Sequence, residues 1–208
     1  MSILYTIGHS THSTEKLIEL LQGHGITAVA DVRSSPYSQY NPQFNREALE
    51  SSLRSVGLMY VFLGEELGAR SDDPSTYRDG KVQYDLLAQT DSFARGLSRL
   101  REGTGKYTLA ILCSEKEPLD CHRAILISRH IESDDIDVQH ILESGRAESH
   151  AETMQRLVLP QLEFFRSPDD ILEDAYRARG DQIAYVRPSA DGQESGDYDD
   201  EDIHDRIH

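Results

Sequence analysis

Five short apolar runs, separated by segments with helical periodicity, set the limits on what this chain can fold into. The runs are 3–7 (ILYTI), 26–32 (ITAVADV), 58–63 (LMYVFL), 107–112 (YTLAIL) and 136–142 (IDVQHIL). ITAVADV is nearly continuous in apolar side chains, as an interior parallel strand requires. Between the runs, apolar residues fall on one helical face: Leu17, Ile18, Leu20 and Leu21, then Leu49, Leu53 and Val56, then Leu86, Leu87, Phe93, Leu97 and Leu100. Ser13 or Thr14 is placed to cap the first helix, with Gly23 and Gly25 ending it; Asn45 is placed to cap the second, with Gly57 ending it. The alternation predicts an α/β fold: a single domain with a mostly parallel sheet of about five strands flanked by helices. His9, Arg33, Glu65 and Cys113 each follow the carboxyl end of an expected strand, and His140 lies near the end of another. Ligands of open parallel sheets bind outside those ends.

Composition narrows the function classes. The 208 residues carry a net charge of −16, which disfavours non-specific binding to nucleic acid or to an anionic membrane. There is no membrane-length apolar stretch, and MSILYTIGHS lacks the regions of a signal peptide, so a cytoplasmic protein is expected. Two cysteines without a secretory signal point to free thiols rather than a structural disulfide. The expected domain is 1–187, followed by an acidic, disordered tail at 188–208 that has no apolar periodicity. SDDPSTYRDGK reads as an exposed, mobile loop, ESGRAESHAE as a connection, and 150–178 as helical with an interruption near Pro160.

The chemistry is concentrated in Leu109–Ile131, which holds both cysteines. Asp120 is expected to cap a helix whose first turn is Cys121, His122 and Arg123, where free N–H groups and the helix dipole suit an anion or a thiolate. His9, Cys113, Cys121 and His122 are the candidates for nucleophilic or acid–base work. Ser10, Asp31, Arg33, Glu115 and Arg123 are the candidates for holding a substrate. Blander roles compete with these. Cys113 fits an inert core residue, Arg123 a salt bridge to Asp31, Glu115 or Glu117, and Asp31 either a partner of His9 or His122 or an ion pair with Arg33. C-x7-C-H supplies three potential zinc ligands, with His9 or His140 as a fourth, but matches no standard zinc module, so no metal is assigned. The loop after the first strand lacks the glycines of a Walker motif. A phosphatase or rhodanese loop would need Arg where Leu119 stands. His24, His130, His150, His204 and His208 read as surface residues.

Several motifs together resemble the bacterial and archaeal family called domain of unknown function 488. They are Tyr5-Thr6-Ile7-Gly8-His9-Ser10, Asp31-Val32-Arg33 with Pro36, Leu63-Gly64 with Leu67-Gly68, Cys113-Ser114-Glu115 with Cys121-His122-Arg123, and then His140. The resemblance spans roughly residues 3–160. It implies a compact α/β domain in a cytoplasmic protein, and it brings no established reaction. Two classes fit: an enzyme acting on a small anionic substrate such as a nucleotide or phosphorylated compound, or a non-catalytic ligand- or metal-binding module associated with nucleic-acid processing. The sequence names neither a cofactor nor an oligomeric state.

Overall fold

A computed structural model describes residues 2–159 and 167–188. In chain order the elements are β1 (Ser2–Gly8), α1 (Thr14–Gly23), β2 (Ala28–Asp31), α2 (Arg46–Ser55), β3 (Met59–Phe62), α3 (Gly64–Leu67), β4 (Tyr77–Arg78), β5 (Lys81–Val82), α4 (Tyr84–Leu87), α5 (Asp91–Thr104) and β6 (Leu109–Cys113). A π-helix (Arg123–Ser128) then runs into α6 (Arg129–Ile131), followed by β7 (Ile136–Ile141), β8 (Ala147–Ser149), α7 (His150–Val158) and α8 (Pro168–Ile183).

The main sheet has six strands in the order β3-β2-β6-β1-β7-β8. Its pairings are parallel except for β7–β8. All five residues of β6 are buried because both faces of the central strands are covered. On one face Ile7, Val29, Leu112 and Ile141 pack against Leu17 and Leu21 of α1 and Leu49 and Leu53 of α2. On the other, Leu4, Ala30, Ile111 and Val138 meet Phe93, Leu97 and Leu100 of α5, Ile125–Ile127 of the π-helix, and Tyr176 of α8. Burying each such leucine stabilises the fold by roughly 1.5–3 kcal/mol relative to leaving it exposed.

The chain order fixes where a site can form. From the end of β2 the chain leaves toward β3, whereas from the end of β6 it leaves toward β7 on the opposite side. The crevice outside the carboxyl ends of β2 and β6 is therefore the switch point of the sheet. Three neighbouring strands, β2, β6 and β1, deliver Asp31, Cys113 and Gly8 to it.

Four local expectations need correction. The polar segment SDDPSTYRDGK holds a hairpin, β4–β5, turned by Asp79 and Gly80 at φ 49° and 79°. The helical pattern over 82–102 breaks into α4 and α5, with the Thr90 side chain capping the second. ESGRAESHAE contains the antiparallel strand β8. Asn45 precedes α2, but its side chain accepts from Ser38 N–H rather than capping the helix. Pro160, and the tail from residue 189, lie outside the described residues. No helix among the described residues is long and apolar enough to cross a membrane.

Candidate metal centre

Cys113 ends β6, and the loop after it is shaped by Glu117, whose carboxylate accepts from Leu119 N–H and caps a 3-10 turn at Pro118–Asp120. That turn moves the start of the next helix by one residue. Asp120, the expected cap, pairs instead with Arg179 of α8. Cys121 takes the extended conformation of a capping residue (φ −132°, ψ 138°), and its sulfur accepts from Arg123 N–H at 3.5 Å. A wide π-turn follows, and the Ser128 hydroxyl donates to the Arg123 carbonyl at 2.7 Å.

This arrangement brings four donor groups together. The Cys113 and Cys121 thiols lie 3.0 and 2.8 Å from the same Glu115 oxygen, Oε2. His122 Nδ1 is 3.6 Å from Cys113 Sγ and 3.9 Å from Cys121 Sγ. One ligand atom from each of the four residues falls within 4.8 Å of the others. Cys113, Cys121 and His122 are buried, and Glu115 is half-buried. Among the described residues His122 Nε2 has no hydrogen-bond partner.

Burial and mutual proximity set the protonation of this group. Burial pushes the Glu115 carboxyl up to about 7, with Cys121 adding to the rise. Burial also drives the Cys113 thiol well above its ordinary value, and the neighbouring Cys121 reinforces it. Burial works in the same sense on Cys121, but its hydrogen bond to Cys113 and the Arg123 charge outweigh it and hold Cys121 well below the usual thiol range. His122 loses basicity to burial and more than regains it from Cys121.

Arg123 is completely buried. Its Nη1 donates to the Glu115 carbonyl at 2.6 Å and its Nη2 to the Lys116 carbonyl at 3.0 Å, while Nε has no hydrogen-bond partner among the described residues. None of the expected carboxylates pairs with it. Asp31 binds Arg33, Glu117 binds Arg156, and the Glu115 carboxyl faces the two sulfurs. The guanidinium therefore shapes the donor loop and supplies its positive charge.

A second polar group lies alongside. Arg33 donates from Nε and Nη2 to the two Asp31 oxygens at 2.9 and 2.6 Å, and from Nη2 to the Phe44 carbonyl. Tyr60 also donates to Asp31, at 2.8 Å. Asp31 thus orients Arg33, not His9 or His122. His9 Nδ1 lies 2.8 Å from the Ser10 carbonyl, so Nδ1 carries the proton and Nε2 accepts from Arg33 Nη1 at 3.2 Å. Burial holds His9 down to about 4, and Arg33 adds to the drop. His9 N–H and Ser10 N–H donate to the Cys113 and Ser114 carbonyls, joining the two groups at the backbone.

Neither residue expected as a fourth ligand sits with the cysteines. His9 is engaged as just described, and His140 is bonded to Thr6 and His150. Glu65 is exposed. His150, expected at the surface, is buried between His140 and Tyr176. His24 and His130 are half-buried, and His204 and His208 lie outside the described residues. Glu115, read from the sequence as a substrate contact, is the donor that completes the cluster. The signal for it was the C-x-E spacing at a strand end, since alternate residues of an extended chain share a face.

Residues 13–130 match the family model described as domain of unknown function DUF488, more than half of the chain. The protein belongs to the DUF488 family. The matched span contains Asp31–Arg33 and all four donors of the cluster; it begins after Gly8–Ser10 and ends before His140. No curated protein and no solved structure matches this DUF488 chain.

Proposed function

We propose that this DUF488 protein is a metal-binding module of the cytoplasm in which Cys113, Glu115, Cys121 and His122 hold one zinc ion. The observation that carries the reading is the convergence of two sulfurs, an imidazole nitrogen and a carboxylate oxygen within 4.8 Å. For bond lengths typical of zinc, a tetrahedral site has sulfur–nitrogen edges of roughly 3.6 Å; the sulfur–Nδ1 distances are 3.6 and 3.9 Å. The sulfur–oxygen edges of such a site are also roughly 3.6 Å, so Glu115 Oε2 would retreat on binding from its present 3.0 and 2.8 Å.

Charge supports the same reading. Below about pH 7 the Cys113 thiol and the Glu115 carboxyl keep their protons, while Cys121 carries the negative charge opposite Arg123. A zinc ion replacing those two protons leaves the buried charge unchanged, so no uncompensated charge is created. Four protein donors make a closed site, the pattern of metal centres that do not turn over substrate. Turnover of a small anion held between Arg33 and Arg123 has less support, because both guanidiniums are engaged by protein groups.

Cobalt(II) substitution tests the proposal. The reduced protein should bind one equivalent and develop the intense visible bands of tetrahedral thiolate coordination, with Cys113→Ser and Cys121→Ser weakening both affinity and bands. Octahedral, pale cobalt spectra in the wild type would rule the site out.

A further inference from the structure

We infer that Cys113 and Cys121 form a peroxide-sensitive dithiol whose closure to a disulfide excludes zinc. The second half of this inference rests on the metal reading above; the first does not. The two sulfurs flank one carboxyl oxygen, and they belong to the only cysteines of the chain. The two sulfurs lie within 4.8 Å of each other, and joining them as a disulfide removes the two thiolates that zinc would need.

The sulfur of Cys121 is the first nucleophile, because it sits at the helix start against Arg123 N–H. It attacks one peroxide oxygen: an S–O bond forms as the O–O bond breaks, and the departing hydroxide takes up a proton from solvent to become water. The Cys113 sulfur then attacks the sulfenic sulfur of Cys121. The S–S bond forms as the S–O bond breaks, and the hydroxyl leaves as a second water with the Cys113 proton. Two electrons pass from the two sulfurs to hydrogen peroxide. With Cys113 3% and Cys121 1% exposed, the pair is closed to a protein disulfide, so the oxidant must be small.

The test uses the full wild-type chain, stripped of metal by a chelator, treated with hydrogen peroxide, alkylated under denaturing conditions and weighed intact. The expected product is lighter by about 2 Da, takes up no alkyl group and is restored by dithiothreitol. Zinc-loaded protein should react at no more than about a tenth of the metal-free rate. Two alkylated cysteines after peroxide, or a sulfinic acid in place of the disulfide, would overturn the inference. Equal rates with and without zinc would overturn the mutual exclusion. Zinc binding without disulfide formation removes this inference alone, and a disulfide in a chain that takes no zinc removes the metal reading and the mutual exclusion but leaves the dithiol.

Discussion

A β-carbon on Gly8 would stand 1.7 Å from the carbonyl oxygen of Glu115, the same oxygen that Arg123 Nη1 holds at 2.6 Å. The end of β1 and the donor loop thus meet backbone to backbone, with no room for a side chain between them. Gly64 makes a comparable approach to the Arg33 carbonyl, at 2.0 Å from an added β-carbon. Both glycines belong to the motifs that gave the family resemblance, and close packing of the two site loops accounts for them.

Gly8→Ala should therefore destabilise the protein by ~1–3 kcal/mol, the usual range for overpacking, and weaken metal binding by displacing Glu115. Denaturant midpoints and cobalt titration read the two effects. A variant with wild-type midpoint and affinity would show that the loop shifts without consequence.

Arg123 is buried with its charge opposite the cysteines and Glu115. Truncation to Ala strands two loop carbonyls and one buried negative charge, and should cost ~3–5 kcal/mol. Arg123→Lys keeps the charge but lacks the planar fork that reaches both carbonyls, so it should lose stability by a smaller amount. Near-native denaturant midpoints in both variants would remove Arg123 from the role of loop clamp.

Acid should destabilise the fold through its buried imidazoles. Burial holds both His9 and His150 down to about 4, against about 6.5 in the unfolded chain. Above pH 6.5 both states are neutral and the stability is fully present. As pH falls from 6.5 toward 4, the unfolded chain takes up protons that the fold refuses, and stability drops by roughly 3 kcal/mol per imidazole. His150→Gln should flatten the slope of unfolding free energy against pH over this window. An unchanged slope would mean that His150 does not carry its share.

The parallel strands were legible because β1, β2, β6 and β7 lie inside the sheet, where burial on both faces demands apolar runs. β8 was not, because its one buried side chain is Glu148, held by Arg146, Arg156 and Thr153 rather than by apolar contacts. The β4–β5 hairpin carried a readable Asp-Gly turn signal inside a segment too polar to suggest strands. At the site, strand alternation placed the ends of β1, β2 and β6 on one edge of the sheet, but did not show that these three strands are neighbours. Nor did it show the partners: Arg123 bonds to carbonyls, and His150 is buried by Tyr176 from a distant helix, and neither relation has a local signature.

Removal of residues 188–208 should leave the melting temperature within about a degree of wild type, since eight acidic residues against one Arg and no apolar periodicity give that stretch little to bury. Differential scanning calorimetry reads this directly. A loss of several degrees would show that the segment contributes to the domain.

The most direct test of the metal centre is calorimetric zinc titration of the reduced protein at pH 8 in two buffers of different ionisation enthalpy. The account predicts one zinc per chain with release of at least the Cys113 proton, and loss of that binding in the Cys113→Ser, Cys121→Ser double variant. Absence of stoichiometric binding by the wild type, or equal binding by the double variant, would contradict it.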